Sequence, residues 1–101
     1  MPKTLGIMVN TDKHFDYLYE LTKSAFKKGI KTQIFFTGPG VRLTQNAGFK
    51  HLVGLAKLSV CDVSFRANGL SGDVPGVGFK DFVTQAVNAE MVTGCDRYIV
   101  L

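Results

Sequence analysis

Cys61 is the residue of this sequence whose type and position best suit chemistry. Residues 58–63, LSVCDV, form a short apolar run that predicts a buried β-strand, and Cys61 lies near its carboxyl end. Ser64 follows three residues later and suits the N-cap of a short helix over residues 64–68, which Gly69 would end. Unpaired N–H groups at a helix start favour an anion, such as a thiolate or the terminal sulfur of a persulfide. Cys61 is therefore predicted to be a nucleophile; the alternative is a small buried strand residue.

Arg66 places a fixed positive charge within reach of Cys61. A cation beside a thiol lowers its pKa because it stabilises the thiolate. Ser64 and Arg66 are thus predicted to stabilise an anion, or a persulfide, at Cys61. An interface role for Arg66 stays open, because interfaces favour Arg and a neighbouring copy could present Asp73 or Asp81.

The second cysteine, Cys95, precedes the last predicted strand and should lie at the amino edge of the sheet, away from Cys61. A disulfide needs Cα atoms within about 7 Å, so we expect two free thiols, with Cys95 packed and inert. His14 and His51 have no metal-ligand spacing with either cysteine, so no metal and no cofactor are expected.

Two loops at strand ends are candidate ligand loops. Gly38 and Gly40 follow the second predicted strand, but the third glycine of a dinucleotide fingerprint and the Lys-Ser/Thr of a P-loop are missing. A simple turn is the preferred interpretation. Asn10, Thr11 and Asp12 follow the first strand and are the second candidate loop.

Strand and helix patterns alternate along the chain. The predicted strands cover residues 4–9, 32–37, 58–63 and 97–101, and helical spacing of apolar residues covers 15–26, 49–56 and 79–87. Such alternation predicts an α/β fold with a mostly parallel sheet of four to five strands and helices on both faces. A fifth strand would be short or hidden in residues 74–77.

Composition favours one ordinary domain over residues 1–101. The chain is 46% hydrophobic and 20% charged, which excludes disorder, and it has no apolar run of transmembrane length. The apolar start is too short for a signal peptide, so we expect a cytoplasmic protein without a membrane partner. The net charge is +4, but the basic residues are scattered, so no nucleic-acid partner is expected.

Residues 61–73, CDVSFRANGLSGD, followed by Gly76 and Val77, resemble the DsrE/DsrF-like family, which includes the TusD-type sulfur-relay subunits. In that family a cysteine ends the third strand. A Ser or Thr, an Arg-Ala pair, a Gly-hydrophobic step and a later Gly-Val follow it. Residues 35–41, FFTGPGV, and 95–97, CDR, agree with the family in outline.

This resemblance implies a three-layer α/β/α fold with about five parallel strands, assembled as trimers or hexamers. It also implies that Cys61 carries sulfane sulfur as a persulfide and exchanges it with a sulfur donor or acceptor protein. Whether the chain is an enzyme, as a sulfurtransferase, is left open. The alternatives are a non-catalytic oligomeric subunit or interaction module, and a small-ligand or nucleotide-binding domain that uses the two loops.

An excess of aromatic residues supports a homo-oligomer. Six of them exceed what one small core should hold: Phe15, Tyr17, Tyr19, Phe49, Phe65 and Phe79. Large exposed apolar patches usually mark interfaces.

Overall fold

Residues 3–101 are described by the structure, a computed structural model, so Met1 and Pro2 of the predicted domain lie outside it. The described residues form five strands and three α-helices: β1 (Thr4–Val9), α1 (Phe15–Lys27), β2 (Lys31–Phe36), β3 (Lys57–Cys61), α2 (Asp62–Ala67), β4 (Phe82–Val83), α3 (Gln85–Gly94) and β5 (Arg97–Val100). Short 3₁₀ helices lie at Gly38–Gln45, Phe49–Leu52 and Phe79–Asp81. Within these residues, no helix is long and apolar enough to cross a membrane.

The strands form one parallel sheet in the order β4-β3-β2-β1-β5. The helix α1 packs on one face and α3 on the other, so the predicted α/β fold with three layers is confirmed. Parallel strands need crossover connections, which is why helices alternate with strands along the chain. The carboxyl ends of all five strands meet at one edge of the sheet, called the carboxyl edge below.

The larger core lies between the sheet and α1, α2 and the 3₁₀ segments. Its strand residues alternate along each strand, as one face of a pleated sheet requires. The buried members include Ile7, Val9, Ile34, Phe36, Leu58 and Val60, joined by Leu18, Val41, Phe49, Leu52 and Phe65.

A smaller core lies on the opposite face, beneath α3. Phe35, Cys61 and Met91 are its buried members, and Val83 and Val87 pack against them. Cys61 therefore faces the side of the sheet covered by one ten-residue helix.

The core accommodates more aromatic side chains than expected. Phe49 and Phe65 are buried, and Phe15 and Tyr19 pack against the larger core. Only Tyr17 and Phe79 of the six aromatic residues remain exposed, at 59% and 96%. Of the six aromatic residues expected to exceed the core, only these two are left exposed on the surface.

Three sequence predictions about local structure are wrong. Of residues 49–56, which were predicted as a helix, only Phe49–Leu52 form one, a 3₁₀ helix, because Gly48 and Gly54 bracket a segment too short to propagate an α-helix. The third strand ends at Cys61 and α2 begins at Asp62, so Cys61, not Ser64, is the N-cap residue. Gly38 and Gly40 begin an eight-residue 3₁₀ helix instead of a simple turn.

The fifth strand is β4, which has two residues and is thus short, as one of the two expectations had it; the other expectation, a strand hidden in residues 74–77, is wrong. Val74 and Val77 form only an isolated bridge. The predicted helix over 79–87 is divided: Phe82 and Val83 pair with β3, and α3 begins at Gln85 after Thr84, whose hydroxyl accepts from the Ala86 N–H at 3.3 Å. A two-residue strand has no measurable period, so the helical spacing of neighbouring apolar residues concealed it.

Replacing Gly40 by Ala should destabilise the fold. A Cβ at Gly40 would overlap the backbone carbonyl group of Val9, at the end of β1, and a backbone group cannot rotate away. Overpacking of this kind costs about 1–3 kcal/mol. The matched control is Gly94→Ala in α3, where a Cβ meets open space, and it should cause no loss. Urea unfolding measures both; equal stabilities for the two variants would contradict the expected overlap at Gly40.

Candidate functional site

The register of the sheet brings Thr37 beside Cys61. Phe36 of β2 pairs with Val60 of β3, so the next residue on each strand, Thr37 and Cys61, lies one step further toward the carboxyl edge. Side chains alternate between faces, so both residues turn away from the face that holds Phe36 and Val60. On the next strand, Val83 pairs with Cys61, and Gln85 follows two residues later.

Cys61 ends β3 and serves as the N-cap residue of α2, with no loop between the two elements. Its side chain is 4% exposed. Cys61 is thus buried at the end of a strand, and its reactivity depends on the groups around the sulfur. With six residues, α2 is too short to supply a substantial dipole. Any stabilisation of an anion here must come from individual donors.

Two hydroxyl groups, of Ser64 and Thr37, lie beside the sulfur, and their oxygens are 3.4 Å apart. The Gly38 N–H donates to Ser64 Oγ at 3.0 Å, and Gln85 Nε2 donates to Thr37 Oγ1 at 2.8 Å. A hydroxyl oxygen that accepts an amide hydrogen bond still has its own hydrogen to donate. Each hydroxyl therefore keeps a hydrogen that it can donate to the sulfur or to the other hydroxyl.

Two side-chain amides complete the site. Gln85 Nε2 also lies 3.7 Å from Cys61 Sγ, within hydrogen-bond distance for sulfur. Asn68 Nδ2 donates to the Ser64 carbonyl at 2.8 Å and to the Gly38 carbonyl at 3.3 Å. Asn68 therefore joins α2 to the segment after β2 and keeps the Gly38 N–H close to Ser64.

These donors lower the pKa of the Cys61 thiol. Burial raises that pKa, because it disfavours the charged thiolate. The Ser64 hydroxyl, the Ser64 backbone amide, the Thr37 hydroxyl and the Gln85 amide act in the opposite direction and together outweigh burial. The net result is a pKa below the ordinary value of 9.0. A lowered pKa increases the fraction of thiolate at neutral pH, and the thiolate is the form of cysteine that reacts as a nucleophile.

Arg66 does not lie among the groups that lower the pKa of Cys61. Its Nε is 3.2 Å from Asp62 Oδ2, one helical turn away, and its side chain is 77% exposed. An exposed pair with this spacing stabilises a helix by about 0.3–0.5 kcal/mol. Arg66 compensates the carboxylate next to Cys61 and does not bind the sulfur in this structure.

The two candidate ligand loops, one with Gly38 and Gly40 and one with Asn10, Thr11 and Asp12, lie in different surroundings. Gly38 belongs to the Cys61 site, and the N–H groups of Gly38 and Gly40 are both used, by Ser64 Oγ and by the Thr37 carbonyl. Neither amide is left for a phosphate. Around β1, the Asn10 N–H donates to the Leu101 carbonyl, Thr11 Oγ1 accepts from the Lys13 N–H, and Asp12 pairs with Arg42 at 3.2 Å.

Asn10 lies where the strand order reverses, between β1 and β5. Ligands of open parallel sheets often bind at such a point. An open cavity of about 590 Å³ begins nearby, and Asp12, His14 and Asn46 are among its lining residues. Among residues 3–101, no cluster of three His, Cys, Asp or Glu side chains is placed to hold a metal ion.

Cys95 follows α3 and is partly buried against the smaller core, and both cysteines are free thiols. Thr37, Asn68 and Gln85 were not predicted as site residues from the sequence. Thr37 could have been found, as the first polar residue after an apolar strand next to β3. Gln85 could not, because its place depends on the undetected strand β4.

Comparisons with models of known protein families, with curated proteins and with solved structures found no match to this chain.

Ser64→Ala should raise the pKa of Cys61, because it removes the hydroxyl that lowers it most among the side chains. Alkylation requires the thiolate, so the rise of its rate with pH should move to higher pH, and labelling at neutral pH should slow several-fold. The control is Arg66→Ala, which removes a charge directed at Asp62 and should shift the profile less. Peptide mass spectrometry separates Cys61 from Cys95. A larger shift in Arg66→Ala than in Ser64→Ala would restore Arg66 as the anion-stabilising residue.

Proposed function

We propose that this chain is a sulfur-relay protein that carries sulfane sulfur as a persulfide on Cys61. The observation that carries the proposal is the set of hydroxyl and amide donors that lowers the pKa of this buried thiol. Structural cysteines in apolar surroundings have raised pKa values and are inert. Cys61 departs from that behaviour because these donors outweigh burial. It also lies at the carboxyl edge of a parallel sheet, where ligands and chemistry are commonly found.

The proposed reaction is a thiol exchange in two steps. The Cys61 thiolate attacks the outer sulfur of a donor persulfide, R–S–SH. A bond forms between Cys61 Sγ and that sulfur, the S–S bond of the donor breaks, and the donor leaves as a thiolate. An acceptor thiolate then attacks the outer sulfur of Cys61–S–SH, takes it, and regenerates the Cys61 thiolate. Electrons balance without an external oxidant or reductant.

The residues around Cys61 suit both steps. A thiol with a pKa near the ambient pH is a good nucleophile and also a good leaving group. The hydrogens of Ser64 and Thr37 rotate about their C–O bonds, so they can follow negative charge from Cys61 Sγ to a second sulfur. No general base is needed, since thiolates attack the persulfide sulfur directly.

We propose, as part of the same hypothesis, that the chain is a member of the DsrE/DsrF-like family. Membership is supported by the parallel five-stranded sheet and by a cysteine at the end of the third strand. The resemblance of residues 61–73 supports it from the sequence side. A sulfur donor or acceptor protein is then the expected partner of Cys61, with exchange in the cytoplasm.

An interaction module is the second candidate, and exposed apolar residues favour it. Phe79 is 96% exposed and Val63, on α2, is 73% exposed. Phe79 lines a groove of about 570 Å³ that also contains Asp62 and Arg66. A homo-oligomer, as a trimer or hexamer, is the assembly we propose for either candidate.

Incubation with a low-molecular-weight persulfide should add the mass of one sulfur atom to Cys61. Intact mass and peptide mass spectrometry detect the gain, and a thiol acceptor should remove it. Cys95→Ser is the matched control and should load normally, whereas Cys61→Ser should not load. A sulfur gain confined to Cys95, or absent from the wild type, would favour the interaction module.

Light scattering at tens of micromolar protein should give the mass of a trimer or hexamer. Phe79→Ser should shift the distribution toward monomer, because it removes the most exposed large apolar side chain from the surface. The control is Phe26→Ser on α1, a half-exposed phenylalanine that lines a different cavity. A monomeric wild type would contradict the proposed assembly.

A further inference from the structure

Gln85 occupies a special position above Cys61. It is the first residue of α3, and the residue as a whole is exposed. Its side-chain nitrogen nevertheless reaches inward to two atoms of the site, Thr37 Oγ1 at 2.8 Å and Cys61 Sγ at 3.7 Å. One amide thus connects a buried thiol with the protein surface.

The surroundings of the sulfur leave little access from other directions. Cys61 is 4% exposed and Thr37 is 8% exposed. Phe35 and Met91 pack on the inner side of Cys61 within the smaller core. Gln85 is exposed as a residue, and its side-chain nitrogen lies 3.7 Å from the buried sulfur.

We infer that Gln85 acts on Cys61 in two ways, as a hydrogen-bond donor to the sulfur and as a cover that restricts the size of the molecules reaching it. The inference rests on the proposed function of Cys61 as the reacting thiol, and it adds a determinant of substrate size. Small sulfur donors such as inorganic polysulfide reach the thiol more readily than bulky organic persulfides.

The geometry allows the cover to open. Gln85 has a linear side chain, and its amide nitrogen bonds only to Thr37 and Cys61 among the described side-chain contacts. These are bonds of a neutral amide, each of modest net strength. Rotation of one side chain therefore exposes the sulfur without moving α3.

Charged groups on the elements packed around Cys61 are not among the causes of its pKa shift. The titratable side chains there are Asp62 and Arg66 on α2, Glu90 on α3, Lys31 on β2, Lys57 on β3, and Cys95 and Tyr98 on the side of β5. None of these groups is among the causes that shift the pKa of Cys61. The effect of a substitution at Gln85 on the pKa of Cys61 can therefore be measured from the titration of Cys61 alone.

Three variants separate the two roles. Gln85→Ala removes the donor and the cover, whereas Gln85→Met removes the donor and keeps an unbranched side chain of similar length. Gln45→Ala is the matched control, because exposed Gln45 also donates to a threonine hydroxyl, Thr44 Oγ1 at 3.0 Å, away from Cys61. The rate of Cys61 alkylation is measured against pH with small iodoacetamide and with bulky N-phenylmaleimide, by peptide mass spectrometry.

Both Gln85 variants should move the midpoint of the pH profile upward. Gln85→Ala alone should also raise the limiting rate at high pH several-fold for N-phenylmaleimide, and less for iodoacetamide. An unchanged midpoint in both variants would overturn the donor role, and equal acceleration of both reagents, or none, would overturn the cover. Loading with inorganic polysulfide is measured in parallel. Failure of the wild type to gain sulfur would refute the proposed function while the alkylation comparison still decides the role of Gln85.

Discussion

The parallel pairing of β2, β3 and β4 is the constraint on which the Cys61 site depends. Strands that run in the same direction and in register end at the same edge, so residues far apart in sequence become neighbours there. Thr37, Cys61 and Gln85 follow or end three adjacent strands in this way. A shift of one residue between β2 and β3 would turn Thr37 to the opposite face and remove its hydroxyl from the sulfur.

The direct junction between β3 and α2 adds rigidity to this arrangement. Cys61 belongs to the strand by its pairing with Val83 and to the helix by its N-cap position, so its backbone has little freedom. The next turn of α2 then fixes Ser64 beside the sulfur, and Asn68 ties the end of the helix to the segment after β2. Fixed donors stabilise a charge effectively because they need no reorganisation when it forms.

Much of the fold was predictable from the sequence, and the site only in part. The apolar runs of β1, β2, β3 and β5 and the glycine after α1 carry strong local signals, and the structure agrees with them. Cys61 and Ser64 were found because they are close in sequence. Gln85 was not, because β4 is too short to leave a pattern. Arg66 was assigned to Cys61 because the helix was expected to begin at Ser64. With α2 beginning at Asp62, Asp62 and Arg66 lie one turn apart on the same helix and pair.

The donors around Cys61 are neutral dipoles, and this has a consequence for how the thiolate responds to dissolved ions. Attraction between a thiolate and an exposed arginine weakens as ionic strength rises, because mobile ions screen charges across water. Hydroxyl and amide donors beside a buried sulfur act at short range, where mobile ions screen little. The reactivity of this thiol is therefore set by the fold itself and should vary little between dilute buffer and the salt concentration of a cell.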